Sequence, residues 1–120
     1  MAFSLLFIVF SSTPGKSDIA HRFQGYVYYS KDQNNQWSTV ANAEVTVYKE
    51  ITGDWIYQGA AYTNSSGFYI FNLQGETLQG NYKLIARKMI GSQPYIGLTY
   101  SYYSGSGTAY ASIYMFKGDL

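Results

Sequence analysis

Residues 41–73, ANAEVTVYKEITGDWIYQGAAYTNSSGFYIFNL, read as three β-strands separated by two turn signals. Within 41–50, Val45 and Val47 alternate with Glu44, Thr46 and Tyr48, the period of a strand with one face buried. Thr52-Gly53-Asp54 and Ser65-Ser66-Gly67 supply residues that tolerate the positive φ of tight hairpins, which delimits further strands at 54–63 and 67–73. Working outward, the same criteria give RFQGYVYYS (22–30), GNYKLIARK (80–88), PYIGLTYSYY (94–103) and TAYASIYMF (108–116). In 80–88, Tyr82, Leu84 and Ala86 oppose Lys83, Ile85 and Arg87. Longer polar connections occupy 31–39 and 73–80, and Ser104-Gly105-Ser106-Gly107 is a flexible turn. No window carries apolar residues at helical spacing, so an all-β antiparallel sandwich of seven strands is predicted.

Composition narrows the function. The chain has 120 residues and no cysteine, which excludes disulfides, thiol nucleophiles and cysteine-held zinc. Only 12% of residues are charged, the net charge is +1, and the Lys and Arg residues are dispersed, so nucleic acid finds no electrostatic footprint. No apolar run reaches the roughly 20 residues of a spanning helix. Fourteen tyrosines favour pleated, half-wet strand surfaces over helix.

Gly25 and Val27, then Ala43, Val45 and Val47, then Thr63, Gly67, Tyr69 and Phe71, then Gly80, Tyr82 and Leu84 follow one another in a recurrent order. Over residues 23–90 this pattern resembles the carboxypeptidase regulatory-like domains and their Cna-B and prealbumin-like relatives, with Asn64 where Asp is commoner. The resemblance implies an immunoglobulin-like or prealbumin-like sandwich used as an accessory, stalk, adhesive or display module without catalysis. Some Cna-B relatives carry a Lys–Asn isopeptide bond that needs Asn on the last strand. TAYASIYMF has none, so that bond is not carried over.

Catalytic chemistry is poorly supplied, and no catalytic residue, metal site or cofactor is expected. His21 is the only imidazole and reads as a solvated linker residue, with Asp18 the nearest acid. The string 7–17, FIVFSSTPGKS, imitates a phosphate-binding loop, but Phe10 stands where the first Gly is required and Pro14 removes an N–H. Asp32-Gln33-Asn34-Asn35 lacks the Gly and the closing acid of an EF-hand. Trp55 and Tyr57 share a strand face and Trp37 lies in the 31–39 loop, a candidate aromatic platform for surface glycans. The competing reading is that these rings are simply exposed or buried between subunits. Asn64-Ser65-Ser66 is an N-glycosylation triplet at a hairpin turn.

The first ten residues, MAFSLLFIVF, carry the functional expectation. Phe3, Leu5, Phe7 and Val9 lie on one face of an extended strand, and Leu6, Ile8 and Phe10 on the other. Burying all of them is worth roughly 10–20 kcal/mol before entropy is subtracted. As a secretion signal the segment lacks a preceding positive charge and a good cleavage site. Residues 11–21 form a polar linker, which reaches roughly 30 Å when extended, to a domain over 22–120. The expected arrangement is a donor strand at 1–10 that inserts into the next copy of the chain, building a head-to-tail homopolymer at the cell surface or outside the cell. The alternative is a monomeric secreted or surface-anchored accessory module that binds carbohydrate, with 1–10 cleaved or used as an anchor.

Overall fold

The computed structural model describes residues 20–30 and 36–119, all of them in strands or connections and none in helix. Nine strands are present among them: β1 (His21–Ser30), β2 (Trp37–Thr39), β3 (Glu44–Ile51), β4 (Asp54–Tyr62), β5 (Phe68–Asn72), β6 (Gly80–Ile90), β7 (Gln93–Tyr103), β8 (Gly107–Tyr110) and β9 (Ile113–Lys117). The hydrogen-bonded path runs β2-β1-β9-β7-β6-β3-β4, with β5 and β8 also paired to β1.

The expected all-β class holds, and the details differ in several ways. The 108–116 strand is kinked into β8 and β9. Its register with β1 keeps the same offset across the break, from Gln24 opposite Tyr110 to Val27 opposite Ile113. At this break the Ala111 carbonyl oxygen approaches Gly25, where a Cβ would stand 2.5 Å away, so only glycine admits the approach. Second, β1 pairs in parallel with β8 and β9, which makes the sheet mixed rather than antiparallel throughout. Third, part of the expected 31–39 loop forms β2, which takes over from β5 along the same edge of β1. The handover is marked by Val27, whose N–H donates to Gly67 and whose carbonyl accepts from Val40. His21, expected in the linker, opens β1, and its carbonyl accepts from the Leu73 N–H at 2.7 Å. The expected donor strand at 1–10 and most of the linker lie outside the described residues, as do the phosphate-loop imitation and Asp32 to Asn35.

Alternation places Val45 and Val47 of β3, Tyr82, Leu84 and Ala86 of β6, and Ile113 and Met115 of β9 on one side of this path. They share a single core with Phe23 and Val27 of β1 and with Tyr69 and Phe71 of β5. No ladder joins β5 to β3 or β6, so the path must fold over to bring these faces together, an arrangement consistent with a β-sandwich.

Three large buried tyrosines fill that core, and each hydroxyl finds a carbonyl at a chain reversal or break. Tyr69 donates to Ala111 at 2.6 Å, Tyr82 to Leu78 at 2.7 Å, and Tyr103 to Gly107. Rings of Phe23, Tyr82 and Tyr103 pack within 5.1–6.2 Å of one another. A ring with a polar tip thus fills volume and satisfies a loop carbonyl at once. Burial pushes all three hydroxyls above the ordinary tyrosine range; the neighbouring Tyr103 adds to the effect at Tyr82, and a backbone hydrogen bond at Arg22 partly offsets it at Tyr103.

Candidate functional site

The side of the path facing away from the core is also apolar. On β3 and β4 the outward pairs are Tyr48 with Tyr57 and Glu50 with Trp55. On β6 and β7 they are Lys83 with Tyr100, Ile85 with Leu98, and Asn81 with Tyr102. Phe116 of β9 pairs with Ile96, and Tyr114 with Tyr28 of β1. Ile85 is only 5% exposed here, although it sits outside the main core.

Two aromatic groups border this surface. In the first, the Lys83 ammonium lies 5.2 Å from the ring of Tyr48 and 5.1 Å from that of Trp55, while Trp55 also packs on Tyr100 at 5.6 Å. Such a cation is held by ring quadrupoles rather than by a carboxylate. In the second, Trp37 meets Tyr114 and Phe116 edge-on at 4.9 and 5.4 Å, and Tyr28 stacks on Tyr114 at 4.9 Å. Between the groups lies an open trough of about 590 Å³, lined by Ile85, Ile96, Leu98, Tyr100, Tyr114 and Phe116 with Lys83 and Gly97. It lies where β9, paired with β1 through Met115, passes to β7 and pairs there at Ile96 and Tyr95.

The aromatic residues singled out in the sequence are divided by this geometry. Trp55 and Tyr57 share the outward face of β4, as their spacing requires. Trp37 belongs to β2 and to the other ring group, so the three do not form one platform. The sequence reading missed Lys83, Tyr100, Tyr114 and Phe116. Their alternation was readable, but nothing in it told which strands would be neighbours.

Asn64 is exposed, and its amide oxygen accepts from the N–H groups of Ser66 and Phe68 at 2.9 and 3.1 Å. The Asn is therefore the hinge of an Asx-type turn, a job Asp does equally well. Gly67, at φ 81°, completes that turn, and a Cβ there would lie 2.6 Å from the Thr39 Cβ. Behind the turn the buried Thr63 hydroxyl accepts from the Ala43 N–H and donates to the Val40 carbonyl.

The other notable feature is at the rim. Among the described residues β4 pairs only with β3, and β5 only with β1, so within them each lies at an edge. β4 carries no Lys or Pro and a single charge, Asp54 at its start, although a register shift opposite Val47 and Tyr48 bends it near Gln58. A groove of about 240 Å³ runs between the two edges, where Gly59 and Ala60 of β4 face Phe71 and Leu73.

Among the described residues no group of three or more His, Asp or Glu side chains is placed to hold a metal ion. No helix among them is long and apolar enough to cross a membrane. A scan of protein-family models finds no match for the chain. A search of curated proteins finds none either.

Proposed function

We propose that this chain is a structural, non-catalytic subunit of an extracellular filament, in which residues 1–10 of one copy add as a strand to the free edge of β4 in the next. In this reading the domain is an immunoglobulin-like or prealbumin-like sandwich of the carboxypeptidase regulatory-like kind. Its acceptor is the rim between β4 and β5. The observation that carries the proposal is that rim: a nine-residue edge strand with almost no charge to guard it, beside a groove whose β4 wall is Gln58, Gly59 and Ala60. Unpaired edges of this type are templates for another chain. An apolar decapeptide with both faces greasy is the kind of strand that could pair there, provided its side chains are covered.

The test is electron microscopy of the full chain beside a variant lacking residues 2–10. Threads that resist denaturant are expected from the full chain, with none from the variant, whose far-UV circular dichroism stays β-type. A full chain that remains a sharp monomer, or threads that persist without 2–10, would sink the proposal.

A second reading, a monomeric accessory module binding carbohydrate, draws on Trp55 and Tyr57 on one exposed strand face. It requires glycan binding by the monomer that is lost on Trp55→Ala.

A further inference from the structure

The trough and its flanking rings are not used by strand addition, which takes place at an edge. Six large side chains on this face, Tyr57, Leu98, Tyr100, Tyr102, Tyr114 and Phe116, are each between 46% and 62% exposed. Aromatic side chains carry roughly 150–250 Å² apiece, so these six leave on the order of 600 Å² of largely apolar surface in water. That is already the upper end of the largest patch on a typical monomer, roughly 300–600 Å². With Trp55, Ile96 and the Lys83 stem it approaches the roughly 800 Å² that each partner contributes to a stable interface.

We infer that this outer face is a contact between copies of the chain, packing sheet against sheet about a two-fold axis so that the ring ridges of one copy enter the trough of the other. Two observations choose this occupant. The outward face carries Lys83 and Arg87 against Glu44 and Glu50, a balanced set that does not repel its own image, as a two-fold contact demands. Moreover, the backbone of β3 and of β6 is already paired on both sides, and that of β7 is paired with β6 along its length and with β9 at Tyr95 and Ile96. A lone extended segment laid flat on this face would bury N–H and C=O groups with no partner, whereas a second sheet brings its own satisfied. Sheet faces pack about 10 Å apart and need only complementary side chains. The contact is independent of strand exchange, and in a filament it would join threads side by side.

Trp37 and Trp55 are the chain's two tryptophans, and they flank the trough on either side, which makes them built-in reporters. Acrylamide quenching of their fluorescence should be measured for the full chain and for Leu98→Lys over a range of concentrations. Leu98 is half exposed, so the variant is expected to keep its fold, which circular dichroism checks. The contact predicts quenching at least about two-fold weaker in the wild type than in Leu98→Lys once the chain is concentrated. Equal quenching of the two proteins at every concentration overturns it, and threads seen under those conditions would leave strand exchange standing. Protection that requires an added oligosaccharide such as cellohexaose also overturns it, in favour of a glycan platform. A concentration-dependent difference in a chain that forms no threads supports the contact and counts against strand exchange.

Discussion

At the scale of single residues, tyrosine explains more of this molecule than any other type. Tyr69 is sealed in the core with its hydroxyl on the Ala111 carbonyl, at the kink between β8 and β9. Tyr69→Phe leaves that carbonyl unsatisfied and should cost about 1–2 kcal/mol in urea unfolding at neutral pH. The folded state holds the Tyr69 proton more tightly than the unfolded chain, where tyrosine titrates near 10. The corresponding stability is therefore complete below about pH 10 and lost progressively as pH rises above it. Tyr82 and Tyr103 shift in the same direction and act with the same sign. Unfolding curves at pH 7 and pH 11 should show a smaller alkaline loss in Tyr69→Phe than in the wild type; an equal loss would mean that Tyr69 does not govern it. Thr52 is the opposite case, a residue poorly matched to its place. It and Gly53 form the two-residue β3–β4 turn at φ 49° and 88°, where a β-branched side chain is strained. Thr52→Asn should raise stability by about 1 kcal/mol in the same assay, and no gain would show that the strain is already relieved locally.

At the scale of elements, strands were legible where alternation and turn chemistry agreed. Val45 and Val47, and Tyr82, Leu84 and Ala86, face the core as their spacing requires, and the turns at Gly53 and Gly67 fall where positive φ was expected, but only the first closes a hairpin, since β4 and β5 pair with different strands. What local pattern could not carry was long-range. The break at Ala111 sits against a glycine in β1, far away in sequence, and the parallel pairing of β1 with β8 and β9 joins the first described strand to the last two. His21 looked like a linker residue because a single imidazole beside Arg22 carries no periodic signal, yet it has a strand hydrogen bond to Leu73. The candidate site was legible only in part for the same reason. Trp55 and Tyr57 share a face by alternation, whereas placing Lys83 between Tyr48 and Trp55 needs the order of β4, β3 and β6.

At the scale of the whole molecule, the described residues present a rim at β4 and β5 and an aromatic outer face on β3, β6, β7 and β9. They ask for different partners. The rim offers backbone hydrogen bonds and suits a strand; the face offers side chains and suits another sheet. In the filament proposed above, little charge keeps copies apart and the apolar decapeptide on its polar tether supplies the strand. In the proposed filament the decapeptide of one copy pairs with β4 of the next, and amide hydrogen exchange reads that pairing directly. Assembled full-length protein should show the outward amides of Asp54–Tyr62 exchanging far more slowly than in the variant lacking residues 2–10; equal exchange at β4 in the two proteins would contradict it.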